Sequence, residues 1–218
     1  MIAIIAGATG LTGTEIVRQL AQDPRVTEVR ALVRRTGALM KHPKFREIPL
    51  GADGFASLAG NSDPALSGEL YFCALGTTIK KAGSQAAFRA VDFDAVVAFA
   101  SLCRNRNGRY LGLVSSVGAN AGSPFFYPRV KGEAEEAILK LDIPFTCISR
   151  PSFLIGDRDE SRPLERLSIQ TWRALDKILP APLRLRLGSP IEKVAEHLIR
   201  EALAPKARVT ILEAAELG

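Results

Sequence analysis

The chain opens on Met1-Ile-Ala-Ile-Ile-Ala6, an unbroken apolar run rich in β-branched residues, which is the pattern of a parallel strand covered on both faces. The run ends at Gly7. Ile16, Val17 and Leu20 then recur at helical spacing until Asp23-Pro24 stops the pattern, and Val29 to Val33 reads as a second buried strand. Together these make a β-α-β unit of about thirty residues. Leu70 to Leu75 predicts another buried strand, and Phe88, Val91, Ala95, Phe99 and Leu102 form the apolar stripe of one long helix after it. Tyr110 to Val114 is the next strand. Val130, Ala134, Ala137, Ile138 and Leu141 mark a further helix, Phe145 to Ser149 a strand after Ile143-Pro144, Ile191 to Leu203 a helix, and Val209 to Leu212 an edge strand. Strands and helices alternate throughout. The expected fold class is therefore α/β, a doubly wound parallel sheet, because parallel neighbours need right-handed helical crossovers.

One segment breaks the rhythm. From Gly156 to Pro190 the chain carries Arg158, Arg162, Arg166, Arg173, Arg184 and Arg186 around an amphipathic stretch from Leu164 to Leu179. A late insertion in an α/β sheet packs over the carboxyl ends of the strands, where ligands bind, so residues 156–190 are read as a substrate lid. A peripheral helix with solvated arginines is the alternative. No linker, repeat or low-complexity tract divides the chain, and residues 1–218 are read as one domain.

Composition narrows the classes. At 218 residues, 47% hydrophobic and 24% charged, the chain can bury a core without staples. The formal charge of +6 favours anionic partners without choosing among nucleic acid, an acidic membrane and a phosphorylated cofactor. No apolar run approaches the roughly 18–20 residues that cross a bilayer, and the first strand starts at Ile2, leaving no room for a signal peptide. A transmembrane or Sec-secreted protein is not expected. Cys73, Cys103 and Cys147 are odd in number, far apart and set among apolar residues, the usage of small core hydrophobes in a reducing cytoplasm. With His42 and His197 far apart and no Cys-x-x-Cys, a zinc site has little support.

The chemistry begins at Gly7-Ala8-Thr9-Gly10-Leu11-Thr12-Gly13, which follows a buried strand and opens a helix. In that context the first glycine permits the tight turn, the second lets backbone approach a pyrophosphate, and the third lets helix and strand pack closely. Phosphates then sit on the free N–H groups of the helix start. About twenty residues on, an NAD site places an acidic residue on the ribose 2′-hydroxyl; here the second strand runs into Arg34-Arg35. Guanidinium groups pair with a 2′-phosphate that a carboxylate would repel, so NADP(H) is favoured over NAD(H). Asp53 stands either beside the adenine, at the end of a third strand, or in an ordinary Asp-Gly turn.

Tyr127-Pro-Arg-Val-Lys131 sets a phenol and an ammonium four residues apart, on one face of a helix whose first turn holds Pro128. Ser115 and Ser116 lie at the carboxyl end of the strand Tyr110 to Val114. A free phenol titrates near 10, and a neighbouring ammonium favours its phenolate. Such a pair can protonate a carbonyl oxygen as hydride arrives, or take the proton in reverse, while a serine hydroxyl holds the same oxygen. Tyr-x-x-x-Lys alone is common. Its position after a Ser-Ser strand end, in a chain that begins with a dinucleotide turn, gives it meaning.

With these residues in hand, the chain resembles the short-chain dehydrogenase/reductase superfamily, and within it the atypical branch that includes the Tat-interacting-protein-like oxidoreductases. The resemblance runs through Gly7 to Gly13, Leu75-Gly76-Thr77-Thr78, Lys81-Ala82-Gly83, Phe88 to Asp94, Ser115-Ser116, Tyr127 to Lys131, and Arg150-Pro151 through Asp157-Arg158 to Ser161-Arg162-Pro163. It implies a Rossmann-like fold, NADP(H) at Gly7, Gly10, Gly13 and Arg34, and a catalytic triad of Ser116, Tyr127 and Lys131, with Ser116 preferred over Ser115 by alignment with the second serine of the superfamily's pair. Many members carry a helix asparagine that relays protons; this chain has Asp92 instead. The combined cofactor set is Gly7, Ala8, Thr9, Gly10, Leu11, Thr12, Gly13, Arg34, Arg35, Asp53, Leu75, Gly76, Thr77, Ser115, Tyr127, Lys131 and Arg150, with no metal.

The function expected is an NADP(H)-dependent oxidoreductase acting on a small carbonyl compound or alcohol. Two alternatives stand beside it. One is an NADPH-sensing module that binds a protein partner with little turnover; the other is a nucleotide-sugar epimerase-like enzyme. Nucleic-acid binding rests on charge alone, because no basic run has interleaved aromatics for base stacking.

Overall fold

Ala3 and Ile5 of the first strand face one core and Ile4 and Ala6 the opposite one, and all four are fully buried. That two-sided burial is why the opening run is apolar without alternation. The structure is a computed structural model, in which residues 1–37, 41–58, 61–156 and 188–217 are described. The strands are β1 (Ile2–Ala6), β2 (Glu28–Val33), β3 (Phe45–Pro49), β4 (Leu70–Cys73), β5 (Tyr110–Val114), β6 (Phe145–Arg150), β7 (Leu154–Ile155), β8 (Ser189–Pro190) and β9 (Val209–Glu213). A seven-stranded sheet runs in the order β3-β2-β1-β4-β5-β6-β9, every pairing parallel, and β7 and β8 form a separate short parallel pair.

Among the described residues the α-helices are α1 (Leu11–Gln22), α2 (Ile79–Ala82), α3 (Gln85–Arg89), α4 (Val96–Asn105), α5 (Phe126–Leu139) and α6 (Ile191–Leu203). α1 packs Ile16, Val17 and Leu20, and α6 Val194, Leu198 and Ile199, onto one face of the sheet. α4 packs Val96, Phe99 and Leu102, and α5 Ala134 and Ile138, onto the other. The doubly wound Rossmann-like sheet is thus present, and strand order reverses between β1 and β4, where such sheets hold ligands.

Two elements differ from the sequence pattern. β3 has no apolar run, because it is an edge strand on which only Ile48 is buried. The long helix after β4 is broken by a π turn over Ala90–Ala95. A π turn closes i to i+5 and takes more than four residues, so residues four apart, Phe88, Asp92 and Val96, share the buried face. Val91 and Ala95, the expected stripe positions, are half-buried. The turn thereby delivers a carboxylate to the interior. Residues 157–187, most of the expected lid, lie outside the described residues. Among the described residues no helix is long and apolar enough to cross a membrane.

Candidate functional site

β1 ends at Gly7 with φ +82°, in the left-handed region, and a Cβ there would stand 2.4 Å from the Ala74 carbonyl oxygen beyond β4. A Cβ on Gly13 would stand 2.0 Å from the Gly7 carbonyl oxygen. No side chain fits at either place. The turn is closed by the Gly10 N–H donating to the Gly7 carbonyl at 2.9 Å and by the Thr14 hydroxyl donating to the Ala8 carbonyl at 3.1 Å. Gly10 caps α1 without a side-chain bond, so the N–H groups of the first turn carry no side-chain cap from that residue. Beside them, the buried Thr12 hydroxyl has no partner. A backbone cradle that a Cβ would fill, uncapped donors and an orphaned hydroxyl fit the pyrophosphate of a dinucleotide.

Around this turn the other strand ends contribute in sequence. Arg34 and Arg35 follow β2, both exposed, and neither is held in an ion pair or hydrogen bond among the described residues. Asp53 is exposed in the turn that leads into a short 3₁₀ helix, Gly54–Leu58. Leu75, Gly76 and Thr77 follow β4; Leu75 and Thr77 are half-buried.

Beneath Gly76 lies a buried ion pair. The Lys131 ammonium is 2.7 Å from Asp92 Oδ1, with side chains 7% and 0% exposed. Asp92 Oδ2 accepts the Thr77 N–H at 2.9 Å. The distance from Lys131 to Asp92 defines a buried ion pair.

The two serines after β5 have different company. Ser115 is buried and donates a short hydrogen bond to Glu135, itself 3% exposed. Arg150 donates to the same carboxylate at 2.6 Å and to Glu213 at 2.9 Å. The Glu135 carboxylate, with Glu213 beside it, raises the Arg150 guanidinium well above its ordinary value, so it stays charged. Ser115 and Arg150 thus join β5 and β6 to α5. Ser116, half-buried, makes among the described residues only a 3.4 Å contact from its hydroxyl to the Val117 carbonyl. Its hydroxyl is the one available to a ligand. Tyr127, in the first turn of α5, is 37% exposed, and its ring packs on Phe88 with centroids 5.6 Å apart. Glu135 did not emerge from the sequence pattern. Its one signal is its place four residues after Lys131, beside the apolar stripe of α5.

The fold is that of the short-chain dehydrogenases/reductases. The chain is similar to an oxidoreductase of that family from Burkholderia thailandensis, with TM-score 0.69, 20% identity, and coverage of 99% of this chain and 92% of that one. It is also similar to MoeE5 in complex with UDP-glucose and NAD, with TM-score 0.70, 16% identity, and coverage of 98% and 75%. No protein-family model matches. By sequence the chain belongs to the FMP52 family: it is 36% identical over 171 residues to the protein FMP52, mitochondrial, of Candida albicans, covering 78% of this chain and 75% of that relative. Relatives from Coccidioides immitis, Emericella nidulans and Eremothecium gossypii bear the same name, rather than one for Tat interaction.

The family corrects the cytoplasmic expectation, since its members are named as mitochondrial. The cysteines misled for a physical reason. All three are free and buried, and burial pushes the Cys73 and Cys147 thiols up to about 12. Thiols so protected are unreactive whatever the compartment, and do not report on it.

Proposed function

We propose that the protein is an NADP(H)-dependent oxidoreductase that reduces a small carbonyl compound, or oxidises the corresponding alcohol. The observation that carries this reading is the placing of Tyr127 and the buried Lys131 one turn apart on α5, with the weakly held hydroxyl of Ser116 at the end of the adjacent strand β5. Bound nicotinamide supplies or accepts the hydride. Ser116 holds the carbonyl oxygen, Tyr127 passes it the proton, and Lys131 holds the nicotinamide ribose. The glycine turn and α1 hold the pyrophosphate, and Arg34 and Arg35 meet the 2′-phosphate. Support for a dinucleotide also comes from the similar fold of MoeE5, whose structure contains NAD. The Ser-Tyr-Lys pattern, together with the blocks from Leu75 to Asp94, supports membership of the atypical branch. Residues 1–218 act as one unit.

The test has two arms. Fluorescence titration should show binding of NADPH, and absorbance of the reduced nicotinamide should fall when aldehydes, ketones or quinones are offered. Tight binding with no turnover across the panel would replace this reading with a cofactor sensor, and interconversion of nucleotide sugars without net oxidation would replace it with an epimerase.

A further inference from the structure

The proposed reaction needs the Lys131 ammonium but gives no task to Asp92, although the chain pays the desolvation of a fully buried carboxylate to keep it there. The π turn over Ala90–Ala95 exists at that residue, and the Thr77 N–H holds Asp92 Oδ2 at 2.9 Å, so the charge is fixed from two elements. A Cβ on Gly76 would lie 3.5 Å from Asp92 Oδ1 and 3.7 Å from Lys131 Nζ. The pair therefore sits directly against the backbone that follows β4, beside the reversal of strand order where the glycine turn also lies.

We infer that Asp92 is a positioning residue whose buried charge, balancing Lys131, sets how the site divides its affinity between oxidised and reduced nicotinamide. The inference rests on the oxidoreductase reading above. The oxidised ring carries a positive charge and the reduced ring carries none. An isolated buried ammonium at the ribose would repel the oxidised ring selectively; the carboxylate cancels that field. With side chains 0% and 7% exposed, neither charge is screened by water as a surface charge is. An ammonium carries several N–H donors, so Lys131 can face Asp92 and still donate to the ribose while the charges compensate.

The experiment measures dissociation constants of the full chain for the oxidised and the reduced cofactor by calorimetry, alongside a thermal melt of each variant. Asp92→Asn should shift the ratio about tenfold or more towards the reduced form, since one unit charge acting over about 12 Å at an effective dielectric of about 20 already accounts for tenfold. Lys131→Met should shift it in the opposite direction while weakening both forms. The double variant Asp92→Asn/Lys131→Met, in which both charges are gone, should return to the wild-type ratio. Should Asp92→Asn fail to fold, the opposite shift in Lys131→Met and its reversal in the double variant still decide the matter. Equal weakening of both forms in Asp92→Asn, with the ratio kept, makes Asp92 a structural prop and overturns the inference alone. A wild-type chain that binds neither form overturns the oxidoreductase reading and this inference with it.

Discussion

Gly132 meets Ala121 backbone to backbone: a Cβ on Gly132 would stand 2.1 Å from the Ala121 amide nitrogen and 2.3 Å from the Asn120 carbonyl carbon. The Asn120 N–H also donates to the Pro128 carbonyl at 2.9 Å. α5, which carries Tyr127 and Lys131, is thus seated on the loop that continues from Ser116. Gly132→Ala must lift the helix off that loop. Overpacking of this kind costs typically 1–3 kcal/mol, so the urea midpoint should fall, and turnover should fall further than cofactor affinity. An unchanged midpoint would show that the helix moves away freely and that the contact does not set the site.

Tyr127→Phe keeps the ring on Phe88 and removes the proton donor. Turnover should drop by about 10² or more while cofactor affinity survives. Ser116→Ala should also lower turnover, since its hydroxyl is the uncommitted one. Ser115→Ala should act on stability instead, because its hydroxyl is spent on Glu135; the loss should be about 1 kcal/mol, with Arg150 still pairing that carboxylate. Steady-state kinetics and urea unfolding of the three variants separate these roles, and a Ser115→Ala enzyme slower than Ser116→Ala would reverse the assignment of the serines.

The parallel strands were legible because burial on both faces leaves a run of apolar residues, as in β1, β4 and β5. The glycine turn was legible because close backbone approach admits no other residue. What sequence periodicity could not convey was any departure from the regular repeat. The stripe through Val91 and Ala95 assumes an unbroken α-helix, and the π turn instead turns Asp92 inward. β3 was hidden by its edge position. The partnership of Ser115, Glu135, Arg150 and Glu213 joins residues far apart in the chain, which a local pattern cannot pair.

Arg34 and Arg35 are exposed at the end of β2, with no carboxylate engaged among the described residues. Replacing both by alanine should weaken NADPH binding by about tenfold or more, the loss of charge-assisted hydrogen bonds worth about 1.5–3 kcal/mol. NADH binding should be nearly unchanged. Parallel titrations with the two reduced cofactors check this, and equal losses for both would move the arginines' role away from the 2′-phosphate.

His197 on α6 gives a prediction about pH. Its Nδ1 is buried without a partner, and burial, aided by the Arg200 charge, lowers its pKa from the ordinary 6.5. The neighbouring Glu196 opposes the shift without cancelling it. At about pH 7.5 the imidazole is neutral in both folded and unfolded chains and contributes no pH dependence. As pH falls through 6.5, the unfolded chain takes up a proton that the folded chain refuses, so stability declines until the folded pKa is passed. His197→Gln has no such proton to bind. The variant should therefore lose less stability than the wild type between about pH 7.5 and about pH 5.5. Urea midpoints of both proteins at the two pH values measure the difference, and parallel changes would mean that His197 is as free to protonate in the folded chain as in the unfolded one.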